Sequence, residues 1–370
     1  MRYFDINPYG VGVSFPDLVT FAFLPNVVEV SGAAAVAPSF NVNLLQNGGD
    51  VLYSVNVPAV GASTKVDISH LIQCAFGDMR AAWDATQRGK TFGLSVTAPE
   101  GRTYMLPIAL KCMWGALEPL GRVGQFGTFH FEDDTKQFQR HVRFFKNYPF
   151  SVETITGAAQ GYQISIDGTP FGATTPATNN AILSVDGAEL LTAYDKAVIL
   201  VQPNDQNNVW DATFDYTFDN IIEGAQQLLH VAIDERKCGY YLRWVDTQGL
   251  LQYYLFAEGT DSVTTKDEGQ LVQGIEQGGR TFTDGARVYG KERTATKKIC
   301  ATLVPEWEQQ MVQSIGSAVL CDLYMGKDEA GRDMWLPVVP KAGTLSVREN
   351  KGLQDIEVEI STPCAETQTL

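Results

Sequence analysis

A mainly β protein, with two or three β-sandwich-like domains and a few short helices, is where composition, alternation and turn chemistry all point. The 370 residues include 34 Gly, 19 Phe, 14 Tyr and 6 Trp, a bias toward turns and pleated surfaces rather than long helices. Hydrophobic residues make up 44% and charged ones 19%, enough apolar mass for real cores and too little charge for large-scale disorder. The length exceeds that of one ordinary sandwich.

Residues 1–115 read as an N-terminal sandwich. Apolar runs at 18–24 and 27–30 are broken by Pro25-Asn26, and 40–44 and 51–57 alternate across the turn at Gly48-Gly49-Asp50. Period-two alternation places one face in a core and the other in water. Asp67-Ile68-Ser69 offers a helix cap before Ile72, Phe76, Met79 and Trp83 at helical spacing, with Gly77 able to divide the segment into two short helices. Strands at 91–97 and 103–110 flank the turn Pro99-Glu100-Gly101. Residues 116–150 form a glycine-rich connector. It closes on Phe144, Phe145, Tyr148 and Phe150 around Pro149, read as an inter-domain wedge.

Residues 151–260 form a second β domain. Asp167-Gly168 and Asp186-Gly187 are hairpin signals, and 197–201 is a continuous apolar strand. Trp210, Phe214, Tyr216 and Phe218 share a parity, so one sheet face carries their rings, as core or as a sugar-stacking platform. The clearest hairpin is Tyr240-Tyr241-Leu242-Arg243-Trp244-Val245, the turn Asp246-Thr247-Gln248-Gly249, and 250–256 with Tyr253 and Tyr254. Its arms are apolar on both faces apart from Arg243 and Gln252, so it needs cover on two sides, from another sheet or a neighbouring subunit. Residues 258–285 are polar, with a mobile stretch expected at 260–269. Residues 261–370 form a smaller C-terminal α+β unit. There Pro305 opens a helix with Trp307, Met311 and Ile315 as its apolar stripe, and strands at 318–325 and 334–339 flank a turn.

A net charge of −15 repels nucleic-acid phosphates and anionic membranes; the nearest approach to a basic patch is Arg140, Arg143 and Lys146. His70, His130, His141 and His230 form no metal-type pair. Glu132-Asp133-Asp134 is the densest acidic cluster, suited to a solvated turn and, less simply, to calcium or glycoside chemistry. Asp328 to Asp333 lacks regular oxygen-ligand spacing and reads as a hairpin tip. Gly121 to Gly127 lacks the lysine-hydroxyl ending of a phosphate loop. No catalytic, cofactor or metal residues are assigned, and a non-enzyme is expected. The cysteines are expected reduced and mostly buried. No run reaches about 18 apolar residues, and residues 1–8 lack a secretory pattern, so no membrane span and synthesis in the cytoplasm are expected.

Residues 238–256 resemble the Tyr-Leu-Arg/Lys-Trp strand, turn and aromatic strand ending in Leu-Phe of uncharacterised structural proteins from phages and prophages of gut Bacteroidales. Similar stretches are 21–30 with Asp67-Ile68-Ser69 and Phe76, the segment Phe145-Lys146-Asn147-Tyr148-Pro149-Phe150, and the last hundred residues with Ser317-Ala318-Val319, Trp335-Leu336-Pro337-Val338 and Leu353-Gln354-Asp355-Ile356. The turn departs from the pattern, because Gln248-Gly249 supplies one glycine where two are expected. The resemblance implies a virion, tail or baseplate component that works as a homo-oligomer beside other particle proteins, with no cofactor. It carries no defined site. The residues expected at domain or subunit contacts are Tyr240, Tyr241, Trp244, Tyr253, Tyr254, Phe144, Phe145, Tyr148 and Phe150. A carbohydrate-binding β-sandwich adhesin, with a glycan stacked on Trp210, Tyr216, Tyr241 or Trp244, stands as the alternative. A β-sandwich glycoside hydrolase using Glu132, Asp133 or Asp134 is the second.

Overall fold

The computed structural model describes residues 2–6, 11–16, 19–32, 38–46, 49–80, 82–97, 101–106, 109–116, 137–155, 162–166, 169–174, 182–186, 196–203, 226–267, 269–277, 280–288, 290–341 and 352–363. The protein is mainly β, with several separate sheets and few short helices. Two compact units emerge: residues 1–235 with 245–252, and residues 236–244 with 253–370.

The first unit opens with a sandwich. One antiparallel sheet runs in the order Arg2–Ile6, Gly12–Phe15, Val27–Ser31 and Ser63–Asp67. The second is six-stranded, in the order Val19–Phe21, Leu110–Met113, Gly89–Thr97, Ser39–Leu45 and Val51–Pro58, with Thr103–Met105 also on Gly89–Thr97. Val13, Phe15, Val28 and Val30 from the first sheet meet Phe40, Val42, Leu44, Phe92, Leu94 and Val96 from the second in one core. These are the inward positions of alternating strands, as period two requires.

Asp67-Ile68-Ser69 starts the helix Ser69–Phe76, which ends where Gly77 takes φ 78°. Met79 and Trp83 lie beyond it, so only Ile72 and Phe76 of the expected stripe are helical. Asp84 caps the short helix Ala85–Arg88 by accepting from Thr86 N at 2.8 Å. The hinge between sheet and helix is held by Asn26, whose Nδ2 donates to Phe21 O at 3.0 Å and Leu24 O at 2.8 Å. Its backbone N–H reaches Asp67 Oδ1 at 3.0 Å.

Farther along the same unit, a five-stranded sheet runs in the order Gln137–Phe145, Gln226–Asp234, Lys196–Pro203, Tyr162–Ile166 and Thr169–Thr174. The first two strands are parallel. Tyr162–Ile166 and Thr169–Thr174 are antiparallel across Asp167-Gly168, with Ile166 opposite Thr169, as that dipeptide predicts. Ile182–Asp186 instead pairs back onto Ser151–Ile155.

A sheet made mostly of second-unit residues has the order Leu251–Phe256, Tyr240–Val245, Cys321–Lys327 and Asp333–Pro337. Another has the order Glu258–Asp267, Lys291–Pro305, Leu353–Thr362 and Val339–Pro340. Gln270–Gln277 and Arg280–Val288 form a two-stranded ribbon. The expected mobile stretch at 260–269 is thus largely strand. Its β-branched residues Thr260, Val263, Thr264 and Thr265 suit a ladder, and that ladder runs in unbroken register from Glu258 opposite Cys300 to Asp267 opposite Lys291. The expected helix begins at Glu306 with Pro305 at its N-cap, yet its buried side carries Glu308, Gln309 and Val312. Trp307 and Met311 are only half-buried. No helix among the described residues is long and apolar enough to cross a membrane.

Candidate functional site

The aromatic hairpin is the densest cluster the sequence singles out. Tyr240–Val245 is central in its sheet, between Leu251–Phe256 and Cys321–Lys327, so both of its edges are paired. On one face, Tyr241 stacks on Tyr253 at 5.9 Å with an interplanar angle of 16°. It also meets Tyr324 edge-on at 6.2 Å and lies 6.2 Å from Trp335. Arg243 sits over the Trp335 ring at 4.1 Å, and its Nε and Nη2 donate to Asp322 Oδ2 at 3.1 and 2.7 Å. The single cation of the ribbon is therefore held by a ring face and a carboxylate together. On the other face, buried Trp244 donates from Nε1 to Ser314 Oγ at 2.9 Å, and that hydroxyl donates to Met311 O at 2.6 Å, so the indole's polar end is satisfied.

Tyr240 is half-buried. Lys297 Nζ lies 4.5 Å from its ring centre and donates to its hydroxyl at 3.3 Å. Gly259 lies so close that a Cβ there would stand 2.4 Å from Tyr240 Cε2. Burial works against the Lys297 charge, but the partners Asp261 and Tyr240 outweigh it and raise the pKa. Beside Asp322, Cys321 has its thiol pKa raised, by burial first and by that carboxylate second.

In the first unit, Phe144 meets Phe150 at 5.2 Å, Phe145 is fully buried and Tyr148 is half-buried. Tyr148 N donates to Phe145 O at 3.0 Å, which closes the turn. The basic residues here are neutralised rather than massed: Arg143 pairs with Asp234 at 3.2 Å and Lys146 with Glu235 at 2.9 Å.

Tyr241, Trp244, Tyr253, Tyr254, Phe144, Phe145 and Phe150 are thus buried by the chain itself. Cover from a neighbouring subunit is not needed for them, and an exposed aromatic ribbon is not what the fold presents. Tyr241 and Trp244 are likewise closed to a stacked sugar; Trp210 and Tyr216 lie outside the described residues. No family model matches the chain, and no curated protein matches it. Among solved structures, it is similar to the native conformation of E. coli alpha-2-macroglobulin at 11% identity and a TM-score of 0.17, over 92% of this chain and 21% of that one. A score that low establishes no shared fold.

The pair that sequence reasoning missed is Arg88 and Glu153, both buried in the first unit. Nη1 and Nη2 of Arg88 hold Oε2 and Oε1 of Glu153 at 2.7 and 2.5 Å. Its remaining N–H groups donate to Ala82 O at 2.9 Å, Trp83 O at 3.2 Å and Gly249 O. All five guanidinium donors are used. Glu153 Oε2 also accepts from Leu251 N at 2.7 Å. Nothing local marks these residues, since Arg88 ends a four-residue helix and Glu153 alternates within a short strand.

Elsewhere, Asp328 accepts from Ala330 N at 2.9 Å and from Arg332 N and Nε, each at 2.8 Å. It therefore organises a hairpin tip, and these donors, Arg332 N first, lower its pKa. Glu132, Asp133, Asp134 and His130 lie outside the described residues; His70 is exposed. Among the described residues no group of three or more His, Cys, Asp or Glu is placed to hold a metal. Cys74, Cys112, Cys238, Cys300 and Cys321 are free, with Cys74 and Cys238 exposed rather than buried.

Proposed function

We propose that this chain is a structural protein of a phage or phage-derived particle, a tail or baseplate component that acts through contacts with its own copies and with other particle proteins. The observation that carries the reading is the strand Glu258–Asp267, whose ten residues are all exposed. Its only partner among the described residues is Lys291–Pro305. The ribbon Gln270–Gln277 with Arg280–Val288 lies between these two strands in the chain and pairs only with itself among the described residues. Two-stranded ribbons are marginal in water by themselves, so a subunit or particle neighbour is the natural cover. The stretches that resemble phage structural proteins lend the reading its biological setting. The role is non-catalytic and needs no cofactor.

Light scattering after size exclusion, over a concentration series, tests it. A defined multimer, or growth toward one, is expected, with rings or plates in electron micrographs. A strict monomer throughout would overturn self-assembly.

A further inference from the structure

The strand Val51–Pro58 ends one side of the six-stranded sheet, and among the described residues no strand pairs with its outer edge. Such edges are templates for another chain, and proteins guard them with charge, proline or bulges. This edge is thinly guarded. Between Val30 and Thr64 the only charged residue is Asp50. A bulge displaces Leu52 from the ladder, but Tyr53 to Val57 stay in regular register with Leu44 to Phe40. Pro58 stands only at the strand's end.

The outer face of this edge is neutral and polar. Ser54 Oγ donates to Asn43 Oδ1 at 2.7 Å, and Asn56 Nδ2 to Asn41 Oδ1 at 2.8 Å. Asn43 Nδ2 continues the row to Ser95 and Thr97 at 3.3 Å each. Amide and hydroxyl groups both donate and accept, so each can meet its own copy, which a carboxylate or ammonium cannot do without repulsion. In a chain of net charge −15, two copies approach best through a charge-free strip. An antiparallel strand is also self-complementary about a two-fold axis. These features favour a second copy of this chain over a charged partner.

We propose that residues 53–57 pair antiparallel with the same residues of a second copy about a two-fold axis, joining two six-stranded sheets into one. This rests on the self-assembly reading above and names one of its contacts. The test compares wild type with Ser54→Glu and Ser54→Lys by light scattering over a concentration series, with circular dichroism to confirm folding. Ser54 is exposed, so both variants keep the fold. Pairing about Val55 places Ser54 opposite Asn56 of the other copy and diagonal to its Ser54, a distance of about 7–8 Å that long charged side chains still bridge. Like charges at position 54 are therefore expected to raise the concentration at half-assembly about threefold or more. An equimolar mixture of the two variants should restore the wild-type curve. Variants that assemble as wild type does would overturn this contact and leave self-assembly standing, as would loss of mass without recovery in the mixture. A wild type that never assembles would overturn both.

Discussion

Arg88 and Glu153, 65 positions apart, form a buried two-pronged ion pair that ties the short helix Ala85–Arg88, the strand Ser151–Ile155 and the hairpin turn at Gly249 into one network. The two charges are buried together, and each is also satisfied by backbone groups. That arrangement makes the desolvation of the pair tolerable and the loss of either partner costly, because a lone charge would remain.

Arg88→Met or Glu153→Gln is therefore expected to destabilise the first unit by about 3–5 kcal/mol. Arg88→Met with Glu153→Leu should recover much of that loss, since no unpaired charge is left. Urea unfolding of the four proteins measures the coupling. Single-variant losses below about 1 kcal/mol would show that solvent or a rearranged neighbour already satisfies the pair.

The turn at Gly249 depends on backbone proximity. Gly249 has φ +84°, and a Cβ there would stand 2.6 Å from Trp114 O; at Gly115 it would stand 2.5 Å from the Gln248 carbonyl carbon. Ala116 N donates to Thr247 O at 2.6 Å across the same approach. Gly249→Ala should cost more than Gly331→Ala, where φ is +78° but nothing lies within 4 Å. The second variant isolates backbone strain, about 1 kcal/mol, and thermal melts of both give the difference. Equal shifts would mean that the backbones separate freely.

Much of this fold is legible in the sequence because alternation and turn residues are local signals. The inward positions 40, 42 and 44, the Asp167-Gly168 hairpin and the two-faced apolar ribbon at 240–256 all follow from them. What stayed hidden depends on distant partners. Arg88 looks like an ordinary helix-end cation until the chain brings Glu153 to it. The ribbon's need for cover is plain, but not that Cys321–Lys327 supplies one of its flanks. Glu258–Asp267 resembles a loop because a strand exposed on both faces has no apolar alternation. In the helix Glu306–Gln313 the large residues Trp307 and Met311 suggest the buried side. Instead Gln309 turns inward and donates to Val304 O at 3.0 Å, which sets the helix's rotation.

Arg243→Lys probes the ribbon's one cation. A lysine keeps the charge but loses both the guanidinium's position over the Trp335 ring and the two-nitrogen approach to Asp322 Oδ2. The expected cost is about 1–2 kcal/mol of unfolding free energy in the second unit. Tryptophan emission during denaturation follows both units, since Trp83 and Trp114 belong to the first and Trp244 and Trp335 to the second, and the expected change is a loss confined to the second unit's transition. An unchanged midpoint would mean that charge alone holds this position.

Asp67 provides the pH-dependent test. Burial pushes its carboxyl up, but the Ser69 hydroxyl, Ser69 N at 2.9 Å and Asn26 N at 3.0 Å outweigh it and hold the pKa below the ordinary 3.8. The unfolded chain, with its ordinary value, therefore takes up the proton first as pH falls. This contribution is complete above the unfolded value and is lost as pH drops through the depressed folded one. Asp67→Asn keeps the shape and removes the charge. Near neutral pH it should lower stability by about 0.5–1 kcal/mol, given the group's exposure and solvent screening. The difference from wild type should shrink as pH falls below the ordinary carboxylate value and vanish once pH drops through the depressed folded one. A difference that stays constant across that range would assign the effect to lost geometry at Asn26 and Ser69 rather than to the carboxylate's charge.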